Sequence, residues 1–342
     1  MTKKRSGDKR RRRTTRDSTI RVEEIGDRII PFPSEHPPPD RSPSANAGEP
    51  PSRLTAEQTM HAFQQAIEGQ AFPNEEELSE FVADFNRSGG RVRGKGTAKR
   101  SRKHEAQDLA YLAMETRDPN ESAAFAERAL ALDSDCVDAF VQLGRLAYEE
   151  ADELIEHMRR AVVIGERGLG GKKYFDEEQG YFWGLLETRP YMRARAYLAQ
   201  LLTEAGLDDE AVEHYEDMLR LNPNDNQGIR YPLLGLYLSS ENLDGVRRLL
   251  AEYEDEGSAV LVWSLVLERF LSGDEEEAAN ALTEARQTNQ YVENYLVGRK
   301  RIPVELPGHY GFGDENEAIV CADAIGRAWA NHPKAVAWLK GV

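Results

Sequence analysis

The chain has 342 residues, of which 40% are hydrophobic and 30% charged, with a formal net charge of −16. That length can bury a substantial core and hold two or three domains. The longest apolar runs, such as AVLVWSLVL at 259–267, fall well short of the ~20 residues that span a bilayer, so no transmembrane helix is expected.

The first 53 residues are basic, then rich in proline and serine: KKRSGDKRRRRTTR is followed by PFPSEHPPPDRSPSANAGEPPSR. There is too little apolar surface here to offset the entropy of ordering, so a disordered tail is expected over 1–53. RIIPF at 28–32 is its one sticky spot. Arg10, Arg11, Arg12 and Arg13 are candidates for non-specific contact with a polyanion, the other reading being a solubilising tail. No aromatics interleave with these charges, so base stacking is unsupported. No apolar segment follows the charges, so no secretory leader is expected.

Residues 54–88 carry two helical stripes. Met60, Phe63 and Ile67 form one, with Thr55 as the expected N-cap. Leu78, Phe81, Val82 and Phe85 form the other, with Asn74 as N-cap and Glu75–Glu77 suiting the helix dipole. A helical hairpin is expected. Residues 89–104 are basic and broken by glycine. They include GGRVRGKGTAKR, which holds G-x-x-x-x-G-K but places Gly96 where a phosphate loop needs Ser or Thr. A helix rather than a strand precedes it, so a flexible linker is the reading.

Charge divides at this linker. Residues 1–104 hold 21 Lys+Arg against 15 Asp+Glu, a net of +6, which leaves −22 for the remainder. An acidic body repels phosphates, so any nucleic-acid role belongs to the N-terminal third.

From 105 onward an internal repeat sets the expected fold. GLDDEAVEHYEDMLRLNPND (206–225) has a turn glycine, a small residue at Ala211, an aromatic four later at Tyr215 and a helix-ending proline at Pro223. Gly245 and Ala279 follow at steps of 34, where close helix crossing demands small residues. The first helices of these units are expected at 193–205, 228–240 and 261–273. Earlier pairs are expected at 105–134 and across VDAFVQLGRLAYEE and DELIEHMRRAVVIGERGL. The segment GDENEAIVCADAIGRAWANHPKAVAWLKGV reads as a second-helix echo with a short capping helix. Two stretches break the period: the aromatic insert at 170–191, with Tyr174, Phe175, Tyr181, Phe182 and Trp183 expected beneath the array, a partner-binding knob being the alternative, and a loop at 298–315. Long loops in a compact array often carry function.

The 105–342 region resembles a family of bacterial tetratricopeptide (TPR) proteins, through LALDSDCVDAFVQLG, YFWGLLETRPYMRARAYLAQ, LRLNPNDNQGIRY and LVGRKRIPVELPGHYGFGDENEAIVCA. More distantly it is similar to the suppressor-of-tumorigenicity-seven family, through D-x-x-C-x-x-A at 133–139, IGERGL and GDENEAIVCADAIGRAW. The resemblance covers about 70% of the chain and implies little about activity. The eukaryotic relatives are membrane-associated, which is not expected of this chain. The expected fold is all-α: a TPR-like superhelical solenoid of about five helical pairs, with an N-terminal helical hairpin and a disordered basic tail.

Chemistry-bearing motifs are sparse. The seven histidines form no H-x-x-x-H, no G-x-S-x-G occurs, and the carboxylate runs suit solvated helix faces. Cys136 and Cys321 lie far apart, as buried small hydrophobes of a reducing, cytoplasmic setting do. No catalysis, cofactor or metal is expected. In a TPR register Arg193, Gln200, Gln227, Arg230 and Tyr237 face the concave groove, with Arg189 at its rim. Arginine can grip a carboxylate with two parallel hydrogen bonds, so the groove is expected to take a peptide or protein tail bearing acids. The competing reading has these arginines bridging repeats against acids such as Glu187 or Glu204. The expected function is a non-catalytic interaction scaffold. A nucleic-acid- or ribosome-associated accessory protein gripping through the basic tail is the alternative.

Overall fold

The computed structural model describes residues 53–67, 70–88 and 101–342. The expected tail, with Arg10–Arg13, and the glycine-rich stretch 89–100 lie outside the described residues. The chain divides into two compact units, residues 1–104 and 105–342.

In the first unit α1 (Arg53–Ile67) and α2 (Glu75–Arg87) form a hairpin whose core is Phe63, Ile67, Phe72, Leu78 and Phe85. The side chain of Asn74 accepts from the Glu77 N–H at 2.9 Å, and three glutamates occupy the first turn of α2. Helix α1 starts at Arg53, so Thr55 lies inside it and is not its N-cap.

The second unit is helical throughout, with no strand among the described residues. Its pairs are α3 (Arg102–Glu115) with α4 (Pro119–Leu132), α5 (Val137–Ala147) with α6 (Ala151–Gly168), α8 (Arg189–Glu204) with α9 (Asp208–Leu221), α10 (Arg230–Ser239) with α11 (Leu243–Glu252), and α12 (Ala259–Leu271) with α13 (Glu275–Thr288). The short helix α7 (Lys172–Glu177) stands in the insert. The short helix α14 (Val292–Leu296), then α15 (Glu315–Asn331) and α16 (Pro333–Gly341), close the chain. None of the described helices is long and apolar enough to cross a membrane.

Local chemistry sets the pair boundaries. Asp118, Asn242, Asp274 and Asp314 each accept a backbone N–H of the helix that follows, capping α4, α11, α13 and α15. Gly206 and Gly273 turn the chain between α8 and α9 and between α12 and α13 with φ of 76° and 81°, a region that glycine enters without steric cost. Small residues allow close crossing: Ala106, Ala110 and Ala113 of α3 pack on Ala126 and Ala129 of α4.

The repeat step is not a strict 34. Helices α9, α11 and α13 begin at 208, 243 and 275, so the position drifts. In α13 the buried small residue is Ala278, whose N–H bonds Asp274 as that of Ala211 bonds Leu207; Ala279 faces solvent. The sequence register was one residue late there because the stretch from α11 to α13 is shorter than the one before it.

The pairs stack as a solenoid, with α6 on α8, α9 on α10 and α11 on α12, and with α5 against α8 and α10 against α12 between first helices. One core runs from Ile155 to Leu339. The insert is tucked against it. Phe182 is fully buried, and the N–H groups of Gly180 and Phe182 donate to the carbonyl of Leu221 at 3.0 and 3.3 Å. Tyr174, Phe175 and Trp183 are half-buried, while Tyr181 stands in solvent at 72% exposure, unlike the burial expected for the group.

Helix α15 departs most from expectation. It does not take a second-helix place at the end of the stack. It lies along α10 and α12 and also packs on α14 and α16. Six consecutive residues of α10, Leu233–Leu238, are buried, which means that every side of that helix is covered. A Cβ added at Gly235 would collide with the carbonyl oxygen of Ala324, so α10 and α15 meet backbone on backbone. Trp263 of α12 meets Trp329 of α15 edge-on at 6.4 Å, and Phe270 meets Trp338 of α16 at 5.2 Å.

Candidate functional site

Of the six expected groove residues, Arg189, Arg193, Arg230 and Tyr237 are each tied to another element of the chain, Gln200 bonds within its own helix, and Gln227 has an unpartnered buried oxygen. Arg193 on α8 donates to both carboxylate oxygens of Asp138 on α5, at 3.1 and 2.5 Å. Gln107 on α3 donates to the same buried carboxylate at 2.7 Å, which laces three first helices together. Arg230 opens α10 between the rings of Tyr231 and Tyr253, 4.5 and 5.1 Å from their centroids, and pairs with Asp225 at 2.7 Å and Glu256 at 2.5 Å. Burial costs its guanidinium, but the hydrogen bond it donates to Glu256 and the nearby charges hold its pKa above the ordinary arginine value. The hydroxyl of Tyr237 donates to Glu216 on α9, and its ring sits where a side chain at Gly245 would be. Gln200 is exposed and donates to Glu204 at 2.9 Å. Gln227 lies in the turn before α10, its Oε1 buried and without a hydrogen-bond partner.

Arg189 is not at a rim. It is buried, its Nε donates to the carbonyl of Trp183 at 3.0 Å, and its guanidinium lies 5.1 Å from the Trp183 ring centroid. The aromatic insert folds over it. Glu187, expected as an arginine partner, instead accepts the hydroxyl of Tyr174 at 3.2 Å.

Helices α15 and α16 cover the first-helix face over α10 and α12. Three polar side chains tie them down, Glu317, Arg327 and His332. The buried carboxylate of Glu317 accepts the Ala259 N–H at the start of α12 (2.9 Å), the Asn289 side chain (2.9 Å) and the Gly313 N–H (2.7 Å). Arg327 pairs with Asp208 at 2.7 Å and donates to the Thr203 carbonyl at 3.3 Å, reaching the α8–α9 turn. The Nε2 of His332 lies 3.0 Å from the Leu238 carbonyl.

The furrow between α5 and α8 lies beyond this cover. Asp138 and Arg193 close its floor at one end. Farther along, the guanidinium of Arg145 lies 5.5 Å from the centroid of the Tyr197 ring, and Leu146 and Gln200 are exposed. These residues offer the half-buried ring of Tyr197 beside a cation and an amide, with exposed Leu146 next to Arg145 in the chain. Sequence reasoning named Gln200 but missed Arg145, Leu146 and Tyr197. No motif marks them in the sequence, because Arg145 and Tyr197 lie 52 positions apart and meet only when α5 packs on α8. Outside this face, Cys136 and Cys321 are buried and unbonded, and burial pushes the Cys136 thiol up to about 12.

No family model matches this chain, and no curated protein matches it. A solved structure described as YrrB, a TPR protein with an unusual peptide-binding site, is similar at 16% identity, over 60% of this chain and 91% of that one, with a TM-score of 0.37. A likeness that distant carries no argument about binding. The helical solenoid stands on the stacking, caps and small-residue crossings of this chain's own helices.

Proposed function

We propose that the chain is a non-catalytic protein-interaction scaffold that binds an extended segment of a partner protein along the furrow between α5 and α8. One observation carries this reading: α15 and α16 pack on α10 and α12 and meet α8 at its C-terminal end, at Thr203, and short of that end the α5–α8 face presents Arg145 over the Tyr197 ring. A stacked array offers such a segment a long, pre-formed surface, which lowers the ordering cost of binding. Arg145 can take a carboxylate of the segment in fork geometry, and Gln200 can bond its main chain.

The test compares retention of proteins from the source cells by the full chain and by Arg145→Glu with Leu146→Glu. Both side chains face solvent, so thermal stability is expected to stay within about 0.5 kcal/mol of the parent. Proteins held by the parent and lost by the variant are the expected result. An unchanged set of retained proteins overturns the furrow as the site.

A further inference from the structure

The connection from α14 to α15 carries a second surface. It is pinned at both ends. The Lys300 N–H donates to the Asn294 carbonyl at 2.8 Å, and the Asn316 side chain donates to the His309 carbonyl at 3.1 Å. Between these points residues 301–308 make no backbone hydrogen bond to described residues. The chain bends at Val304–Glu305, and Val304 is fully exposed at 104%. Ile302 and Leu306 are exposed on either side of it in the chain, while Tyr310 and Phe312 are exposed nearer the anchored end, where Tyr310 bonds Tyr231. A group of apolar side chains held out on an anchored loop departs from the scattered exposure normal at a surface.

Two features say what fits it. First, Pro303 and Pro307 bracket the tip. Each fixes its own φ and biases the residue before it, so the tip loses less conformational freedom on docking than an ordinary loop. Second, Arg299, Lys300 and Arg301 stand at its base, a cationic run on a body of net −22. Lys300 pairs with Glu315 at 2.5 Å and Arg299 with Glu293 at 3.3 Å, whereas Arg301 is exposed with no carboxylate partner among the described residues.

We infer that the 301–312 loop is a docking finger for a partner protein, whose apolar pocket receives Val304 and Leu306 and whose acidic rim meets Arg301. A pocket lets Glu305, next to the tip, stay at the solvent edge. A lipid surface would draw that carboxylate toward the headgroups along with Val304, and an anionic membrane would repel the acidic body. This surface is distinct from the α5–α8 furrow and rests on the scaffold reading only in supposing a protein partner.

The experiment places a photo-crosslinking amino acid at position 304 of the full chain in its own cells, with Lys340 as the control position. The adduct is mapped by mass spectrometry, and the partner is purified for binding measurements. A position-304 adduct on apolar residues flanked by Asp or Glu is expected. Val304→Ser and Arg301→Glu should each weaken binding of the purified partner by about tenfold or more, while Lys340→Glu, at an exposed position outside both surfaces, leaves it unchanged. Loss of binding with Arg145→Glu alone would support the furrow and overturn the finger. So would the absence of any adduct specific to position 304, or a partner indifferent to Val304→Ser. Co-sedimentation of the parent with phosphatidylcholine–phosphatidylserine vesicles, lost in Val304→Ser, would assign the loop to lipid and also overturn the inference.

Discussion

Asp225 sits almost fully buried, with φ of 44°, and Arg230 is the cation that makes this tolerable. Burial raises the pKa of the carboxyl above the ordinary range, while the backbone N–H and charge of Arg230 and the Ile229 N–H oppose that rise. Arg230→Ala would leave this carboxylate and Glu256 without their cation. A loss of about 3–5 kcal/mol is expected in urea unfolding, with little recovered by Arg230→Lys, which has neither the fork nor the planar stack. His214 makes a second residue-scale prediction. Arg195 donates to its Nδ1 at 3.1 Å, so the ring is neutral. Burial first, and the Arg195 charge second, push its pKa down to about 4 from the ordinary 6.5. The folded form then binds fewer protons than the unfolded chain, so His214 costs nothing above pH ~6.5 and destabilises progressively as pH falls toward 4. About 2 kcal/mol is expected over that window after discounting for solvent contact. The check is the urea midpoint at neutral and acid pH: His214→Gln should flatten the dependence, apart from the part due to His157, which burial shifts the same way.

At the scale of elements, the contact of α10 with α15 is set by one missing side chain. Gly235→Ala places a methyl against the Ala324 carbonyl, and backbone cannot swing aside as a rotamer can. A cost of about 3 kcal/mol or more is expected, at the upper end for overpacking, read as a lowered thermal midpoint; an unchanged midpoint would mean that the two helices are not in contact. Much of the element pattern was legible. Asn74 in PNEEEL announced α2, and the A-x-x-x-Y spacing of Ala211 and Tyr215 announced α9. The partner of each apolar face was not legible. LLGLYL in α10 and AVLVWSLVL in α12 lack a polar stripe, a sign that more than a neighbouring pair must cover them. Periodicity says that a face is buried and is silent on which distant segment buries it. The same limit hid the partners of Arg193 and Arg230. Asp138, 55 positions from Arg193, reads in sequence as an ordinary first-turn acid.

For the whole molecule, α15 changes how stability is distributed. In a plain solenoid each pair contacts only its neighbours, so damage to the last helix is felt by the last pair. Here α15 touches α10 and α12 from different pairs and ties to the α8–α9 turn through Arg327. Trp329 is fully buried against Trp263 within the single core. Trp329→Ala removes an aromatic worth about 3–5 kcal/mol at a buried site. Native-state hydrogen exchange is the discriminating measurement, because it resolves which helices open together. Amides of α10 and α12 should lose protection together in the variant, although they belong to separate pairs, while those of α4 keep theirs. A nearest-neighbour array predicts loss centred on α12 and α13 with α10 spared, and that pattern would refute the clamp. The coupling bears on function too. A C-terminal hairpin that holds three pairs in register keeps α8 fixed, and α8 is one wall of the furrow where the partner is proposed to lie.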